Sequence, residues 1–197
     1  VSLFNYITGY SPGQPYEKVI VAPRDMREAF DRLIQREIDV QKSNGKGRII
    51  AKMNAIDDVG IIQQLYSASQ AGVGIDLIVR GHCCLRPGLP GYSDNIRVIS
   101  ILGRFLEHGR LFYFGNDGDP VVLIGSADWR HRNLEERVEL VVPVDTPSLK
   151  ARLIEVLNLA LDDNVLAWDL HEDGHYERRY GGEDEAQRVL RQILMER

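Results

Sequence analysis

The sequence predicts an α/β fold in which helices flank a sheet, and three observations support this class. A strand, a helix and a second strand follow one another at 48–54, 57–71 and 75–79, which is the rhythm of a βαβ unit with parallel strands. Further apolar runs at 96–100 and 111–114 extend the predicted sheet. With 197 residues, 44% of them hydrophobic, the chain can bury a sizeable core as one or two domains.

The elements before this unit are a linker, a strand and a helix. Residues 1–17 are rich in Gly, Pro, Ser and Tyr and carry no helical period, so we expect a linker that arrives from a preceding domain. Residues 18–22 predict a short strand, and Pro23 opens a helix that ends at Gly45. The apolar positions of this helix are spaced by three and four, which predicts a buried face made of Met26, Phe30, Leu33, Ile34 and Ile38.

The elements after this unit follow a long loop at 81–95. In chain order we predict a strand at 96–100, a short helical turn at 101–107, strands at 111–114 and 121–124, a polar loop at 129–136, a strand at 138–144, a helix at 146–161, a hairpin of 167–170 with 175–179, and a last helix at 183–195. Asp173 and Gly174 supply the hairpin turn. We therefore expect one domain over 18–180, followed by a C-terminal helix within 181–197.

Charge and composition argue against several function classes. The net charge of −5 argues against general affinity for nucleic acid or for acidic membrane surfaces. Cys83 and Cys84 are adjacent and lack metal-ligand spacing, so we expect a reducing, cytoplasmic compartment and no metal ligands in this part of the protein. No apolar run approaches the roughly eighteen residues that span a bilayer.

Arginine is concentrated in one span of the chain. Between Arg80 and Arg137 there are eight arginines and no lysine, whereas five lysines lie elsewhere. The guanidinium group is always charged and offers several donors in a planar fork, which suits phosphate. The same span holds seven acidic residues, so a mixed-charge solvated surface is the alternative to an oxyanion site.

A candidate catalytic pair stands directly before the predicted strand at 111–114. His108 and Arg110 are two residues apart, so in extended backbone both project to one face. The next strand ends in Gly125 and Ser126, whose backbone N–H groups and hydroxyl we expect to be free for an anion. An imidazole, a permanent cation and a donor-rich turn are what phosphoryl chemistry requires. Because H-x-R is common by chance, a surface histidine without a catalytic role is the alternative.

Further polar side chains are predicted at the carboxyl edge of the sheet. Lys52 and Asn54 lie at the end of the first strand of the βαβ unit, and Arg80 follows the second. Open α/β sheets bind ligands beyond these strand ends. Arg137 opens the strand at 138–144, from where its guanidinium can reach back towards the site. A surface arginine that caps a strand is the alternative for Arg80.

Several motifs in the correct order resemble bacterial polyphosphate kinase over nearly the whole chain, up to about residue 170. They are FNYITGYSP, VAPRDMR, RIIAKMNAI, LIVRGHCCLRPGLPG, NIRVISILGRFLEHGRLFYF, GSADW and NLEERVELVVPV. The resemblance implies reversible transfer of the terminal phosphate of ATP to inorganic polyphosphate. It also implies a phospholipase D-like mixed sheet flanked by helices, with this chain as the last of two such domains.

The resemblance implies roles for single residues. His108 matches the second active-site histidine of the family, and Arg110 with Gly125 and Ser126 matches an H-x-K and G-S pattern in which arginine replaces lysine. The residues at positions that hold nucleotide or polyphosphate oxygens, or lie near them, are Arg80, Arg137, Arg110, Ser126, Lys52 and Asn54.

The resemblance also implies what this chain lacks. The phosphorylated histidine, the arginines linked to Mg²⁺ and the tyrosine that stacks on adenine belong to the preceding domain, so ATP or ADP and Mg²⁺ would be held partly outside this chain. With one H-x-K-like unit the chain would supply half of an active site. The resemblance also implies a homo-oligomer, located in the cytoplasm or peripherally at the inner face of the membrane.

One alternative is a phospholipase D-like phosphodiesterase or nuclease that dimerises, with His108 as nucleophile. Another is a non-catalytic domain for polyphosphate binding or oligomer contacts.

Overall fold

The computed structural model describes residues 18–180, together with Phe4, Thr8 and Tyr16. The predicted linker over 1–17, apart from these three residues, and the predicted helix over 183–195 lie outside the described residues. The elements are β1 Ile20–Ala22, α1 Met26–Asn44, β2 Arg48–Met53, α2 Val59–Gln70, β3 Gly74–Val79, β4 Ile96–Ile101, β5 Leu111–Phe114, a 3-10 turn Asn116–Gly118, β6 Val121–Gly125, a π-helical turn Arg132–Glu136, β7 Glu139–Pro143, α3 Pro147–Leu161, β8 Ala167–Leu170 and β9 Tyr176–Arg178.

The strands of the described residues form one mixed sheet in the order β1-β7-β6-β5-β2-β3-β4-β8-β9. Its centre, β2 with β3 and β4, is parallel, and the flanking pairs are antiparallel. In the parallel centre Met53 is paired with Val79, so β2 and β3 end at the same level. This arrangement confirms the predicted α/β class and the parallel βαβ unit.

Helices cover both faces of the sheet. Side chains of β2 alternate between the faces, so that Ile49 and Ala51 belong to the larger core and Ile50 to the smaller. The apolar stripes of α1 and α2 fill the larger core, and α3 packs Leu157 into the smaller one. The Asp58 carboxylate caps α2 by accepting from the backbone N–H of Ile61 at 2.9 Å. No helix of the described residues is long and apolar enough to cross a membrane.

An aromatic cluster lies at the centre of the larger core. Phe30 of α1, Phe112 of β5 and Trp129 are fully buried, with ring centroids 4.8–5.5 Å apart. The predicted polar loop at 129–136 is therefore wrong at its first residue, because Trp129 is a core residue. The segment also contains the π-helical turn Arg132–Glu136. Trp129 anchors the chain directly after Asp128, a residue of the candidate site.

The segment between β4 and β5 also differs from the prediction. A helical turn was expected over 101–107, but β4 continues to Ile101 and no helix or strand follows until Leu111. Leu102, Phe105 and Leu106 are 54–72% exposed, so the segment has no buried apolar stripe to stabilise a helical turn. β7 is shorter than predicted, because Val138 is exposed before the strand begins.

Candidate functional site

All of the predicted site residues lie at one edge of the sheet, here named the site edge. The parallel strands β2, β3 and β4 end there, and the antiparallel pairing of the other strands makes β5 and β7 begin there and β6 end there. Across the edge from β7 to β3, the residues follow in the order Arg137, Ser126, His108 with Arg110, Lys52 with Asn54, and Arg80.

The strand order sets the separations along the site edge. Neighbouring strands lie about 4.8 Å apart, so β5, which follows His108, is about 10 Å from β3 and about 10 Å from β7. The backbone positions of Arg80 and Arg137 are by the same reasoning about 19 Å apart, with His108 between them. The structure thus brings the three residues to one edge without direct contact between them.

Glu107 fixes the segment that carries His108. Its carboxylate oxygen Oε2 lies 2.8 Å from Nζ of Lys52, and its backbone carbonyl accepts a hydrogen bond from the guanidinium of Arg80. The Lys52 side chain is only 11% exposed, so its ammonium is already neutralised within the fold. Lys52 and Arg80 therefore position the irregular segment before β5. Glu107 was not predicted as a site residue, although a carboxylate next to the candidate histidine was a signal for it.

Asp128 performs a similar task for Arg110. The carboxylate accepts from Nε of Arg110 at 3.1 Å and from the backbone N–H of Asn54 at 2.8 Å. Arg110 also donates to the backbone carbonyl of His108 at 2.8 Å. These contacts connect β2, β5 and the chain after β6, which gives Arg110 a positioning role towards His108. Asp128 was not predicted as a site residue either, although it stands in the GSADW motif, two residues after Ser126.

The Gly-Ser turn after β6 does not have the free N–H groups that were expected. The N–H of Gly125 donates to the carbonyl of Arg110 at 3.3 Å, and that of Ser126 to the carbonyl of Leu140 at 3.0 Å. The Ser126 hydroxyl donates to the Glu139 carboxylate and accepts from the N–H of Leu140. These groups already have hydrogen-bond partners because β7 pairs with β6 next to the turn.

Gly125 is required by the same close approach. A Cβ atom at this position would lie 2.7 Å from Cγ2 of Val141 and would meet the carbonyl oxygen of Leu140. Any larger residue would therefore push β7 away from β6. The Gly-Ser pair holds the strand that follows Arg137, and a direct role of Ser126 in substrate binding stays a prediction.

His108 and Arg137 differ from these paired residues. Both are exposed, and among the residues that the structure describes neither side chain forms a hydrogen bond or an ion pair. Arg137 lies between the π-helical turn and β7, and its backbone N–H donates to the carbonyl of Arg132. The site edge therefore presents an imidazole and a guanidinium that are free to meet an anion.

The cations of the site edge fall into two pairs by their partners. Lys52 and Arg110 are neutralised by Glu107 and Asp128, whereas Arg80 and Arg137 have no carboxylate partner among the described residues. The second pair keeps its net charge for an external anion, since Arg80 donates only to a carbonyl.

The carboxylates of the site edge do not fit a Mg²⁺ ion. This ion prefers carboxylate oxygens and water in an octahedral arrangement. The carboxylates of Glu107 and Asp128 are already paired with cations, and that of Glu139 accepts from Ser126 and from Nδ2 of Asn133 at 2.6 Å. The described residues thus offer no ligand set for Mg²⁺ at this edge.

Open space near these residues is small. A cleft lined by Lys52, Arg80 and Glu107 has a volume of only about 10 Å³, too little for a nucleotide. A larger depression of about 390 Å³ lies at the opposite edge of the sheet, beside Arg97 and His171. This larger depression contains none of the predicted site residues. The candidate site is therefore identified by its side chains and not by the volume of a cavity.

The cysteines follow Arg80 in the loop at 81–95. Burial raises the pKa of the Cys83 thiol to about 11, so this group stays protonated at neutral pH and is a poor nucleophile. Cys84 is exposed, with Sγ 3.2 Å from Nε2 of His82. Among the described residues no hydrogen bond joins either cysteine side chain to a predicted site residue.

Comparison with known proteins places this geometry in a family. The family model described as polyphosphate kinase C-terminal domain 2 matches residues 19–190. The polyphosphate kinase of Thermosynechococcus vestitus is 55% identical over 195 residues, which cover 99% of this chain and 27% of that protein. The crystal structure of polyphosphate kinase from Porphyromonas gingivalis has a TM-score of 0.93 at 39% identity, covering 98% of this chain and 30% of that chain.

A more distant structure shows the fold alone. The phospholipase D family member Nuc from Salmonella typhimurium has a TM-score of 0.52 at 14% identity, over 81% of this chain and 96% of that chain. It confirms the predicted phospholipase D-like mixed sheet. The chain spans less than a third of the two polyphosphate kinases that it matches. The resemblance carried by the motifs is confirmed, and the chain belongs to the polyphosphate kinase C-terminal domain 2 family.

Proposed function

We propose that this chain supplies one half of the active site of a polyphosphate kinase, which transfers the terminal phosphate of ATP reversibly to inorganic polyphosphate. The observation that carries the proposal is the gathering of His108, Arg80 and Arg137 at one sheet edge, with both arginines lacking carboxylate partners. ATP or ADP and polyphosphate are the proposed ligands, and Mg²⁺ is assigned to residues outside this chain.

His108 is proposed as the general acid and base. In the first step a histidine of the neighbouring domain attacks the γ-phosphorus of ATP, and the bond from that phosphorus to the bridging oxygen of ADP breaks. Protonated His108 donates a hydrogen bond or its proton to the departing oxygen. In the second step a terminal oxygen of polyphosphate attacks the phosphohistidine, and the N–P bond breaks. The exposed, unpaired imidazole supports this role because nothing within the described residues competes for it.

Arg80 and Arg137 are proposed to bind the phosphate oxygens. Charge spreads over these oxygens in the transition state, and a guanidinium aimed at them can lower the barrier by several kcal/mol. A separation of about 19 Å between the two backbone positions suits a run of linked phosphates better than a single phosphate group. Lys52 and Arg110, already neutralised, act by holding the segment of His108 in place.

The proposal of a half-site also has structural support. Only one H-x-R unit is present in the sequence, and the segment before it exposes the apolar side chains of Leu102, Phe105 and Leu106. Apolar side chains grouped beside a catalytic residue are suited to burial against a partner. The preceding domain of the same polypeptide is the proposed partner, so the isolated chain should not turn over ATP. Assembly into a homo-oligomer stays a prediction of the resemblance.

The test uses a chimera in which this chain replaces the matching 27% of the Thermosynechococcus vestitus enzyme. We expect His108→Ala to lower ATP-dependent polyphosphate synthesis by about 10²–10⁴-fold, because a positioned acid and base contributes that much. The matched control is His131→Ala, an exposed histidine at no predicted site position, which should retain turnover. Near-normal synthesis in the His108 variant would remove the assignment.

Two further readouts separate the alternatives. In the active chimera, acid-labile phosphate should form on the part derived from the relative and not on His108. The isolated chain should leave bis(p-nitrophenyl) phosphate intact. Hydrolysis that depends on His108 would instead favour the phosphodiesterase, and polyphosphate binding without any effect of His108 on turnover would favour a non-catalytic domain.

A further inference from the structure

The hairpin of β8 and β9 brings together three side chains that the proposed kinase chemistry does not use. His171 follows β8, and its backbone N–H donates to the carbonyl of His175 at 2.9 Å, so the two histidines are cross-strand neighbours. Glu177 stands two residues after His175 and therefore projects to the same face of β9. The register of the hairpin therefore brings two imidazoles and a carboxylate close to one another.

The side-chain positions are close enough to share an ion. The two imidazole rings are stacked with centroids 4.5 Å apart and planes 6° from parallel. Nε2 of His171 lies 3.1 Å from Oε2 of Glu177. One ligand atom from each of His171, His175 and Glu177 lies within 4.8 Å of the other two. Side-chain rotations that draw these three atoms together would place three ligands around one metal ion.

Asp173 in the turn orients one of the imidazoles. Its carboxylate accepts from the backbone N–H of His175 at 3.0 Å and lies 3.0 Å from Nδ1 of the same residue. Because a carboxylate accepts, this contact favours the neutral tautomer of His175 in which Nδ1 carries the proton and Nε2 offers its lone pair. A carboxylate that fixes a histidine in this way is the usual outer shell of a metal-binding histidine.

We propose that His171, His175 and Glu177 bind a divalent transition-metal ion, with Zn²⁺ as the best match. Two imidazoles and one carboxylate suit Zn²⁺, whereas Mg²⁺ favours oxygen ligands throughout. The ion takes the place of the proton between His171 and Glu177. The remaining coordination position of such an ion accepts water or an oxyanion.

This site is separate from the proposed phosphate site. His171 lies beside Ile96 and Arg97, at the beginning of β4, while Arg80 lies level with the end of that strand. Six residues of β4 span about 20 Å, which places the ion at the opposite edge of the sheet. Nε of Arg86 donates to the carbonyl of Glu172 at 2.7 Å, so the hairpin turn is held against the loop at 81–95. The proposal differs from the expectation from sequence that this part of the protein has no metal ligands, and the titration below decides between them.

The test is titration of the 197-residue chain with ZnCl₂, followed by calorimetry and by NMR of the imidazole resonances. The chain should carry Cys84→Ser, because the exposed Cys84 and His82 form a competing thiolate and imidazole pair. We expect one bound equivalent of Zn²⁺, with shifts of the His171 and His175 resonances, and no comparable response to MgCl₂.

Variants make the assignment specific. His175→Gln and Glu177→Gln should each weaken Zn²⁺ binding by more than about tenfold, and Asp173→Asn by about tenfold through the loss of the oriented imidazole. The control His131→Gln removes an exposed histidine that lies near Asp58 and Glu136, and it should bind as before. Equal Zn²⁺ affinity in the His175 and His131 variants, or shifts confined to other histidines, would overturn the proposal. Thermal unfolding without metal confirms that each variant is folded.

Discussion

At the edge of the sheet opposite the site edge, the arginines of the strand ends are paired with carboxylates, whereas two arginines at the site edge are not. Asp76 accepts from Arg48 and from Nε of Arg97 at 2.6 Å, so the arginines at the beginnings of β2 and β4 share one carboxylate. Arg80 and Arg137 have no such partner among residues 18–180. Cations that lack a carboxylate partner are available for an external anion, and at the site edge two of them, Arg80 and Arg137, lie on either side of the exposed imidazole of His108.

Both edges nevertheless contain a buried carboxylate that accepts hydrogen bonds from backbone N–H groups. Glu37 is fully buried below the opposite edge and accepts from the backbone N–H groups of Arg48 and Asn116, at 3.0 and 2.8 Å. Asp128, 7% exposed, accepts from the backbone of Asn54 and from Arg110 at the site edge. In both places a buried carboxylate holds irregular backbone against a strand end. The difference in function therefore comes from the unpaired cations and not from the scaffold.

In this comparison of the two edges, the largest expected effect comes from replacing the unpaired arginines. In the chimera described above, Arg80→Ala and Arg137→Ala should each lower kcat/KM for polyphosphate synthesis by about 10²–10³-fold, because each removes a cation aimed at developing charge. Arg97→Ala, which removes a cation already paired with Asp76, should change kcat/KM by less than about threefold. Equal losses from Arg97→Ala and Arg80→Ala would show that general charge or folding, and not the site edge, controls turnover.

A smaller effect is expected on the stability of the isolated chain when either buried carboxylate is replaced. Asp128→Asn should lower the free energy of unfolding by about 2–3 kcal/mol, because Arg110 is left half-buried without its counter-charge. Glu37→Gln should lower the free energy of unfolding by a comparable amount, since it weakens two hydrogen bonds to partly buried backbone N–H groups. Urea unfolding measures both.

The control for this pair is Glu28→Gln, which breaks an ion pair with Arg32 that is more than 60% exposed on both sides. It should change the free energy of unfolding by no more than about 0.5 kcal/mol. A loss for Asp128→Asn as small as that of Glu28→Gln would contradict its role as a buried anchor. In the chimera only the Asp128 variant should also lower turnover, because it alone positions His108.

Local pattern was sufficient to predict much of this fold. The alternation of β2 and the spacing of α1 follow from burial on one face, and a βαβ unit forces Asn54 and Arg80 to one edge. The side-by-side order of β5, β6 and β7 completes that edge, and it brings His108 and Arg137 there as well. Residues whose position depends on strand ends could therefore be predicted without knowledge of any contact.

Contacts between residues that are far apart in the sequence could not be predicted from local pattern. Asp128 and Asn54 are 74 positions apart, and nothing local indicates that the carboxylate of one meets the backbone of the other. The groups of Gly125 and Ser126 were expected to be free because the neighbouring position of β7 was unknown. Each error concerns which partner a polar group finds, a property that sequence distance does not limit.

The smallest expected effect distinguishes positioning from binding at Lys52. Its ion pair with Glu107 joins a side chain that is 11% exposed to one that is 42% exposed, so the pair should contribute about 0.5–1 kcal/mol to stability. A double-mutant cycle of Lys52→Met and Glu107→Gln in the isolated chain measures this coupling energy. If Lys52 acts only by holding the segment of His108, the two single variants should lower turnover of the chimera by similar modest factors. A much larger loss for Lys52→Met than for Glu107→Gln would mean that the ammonium leaves Glu107 and binds phosphate during the reaction, which would add a third available cation to the site edge.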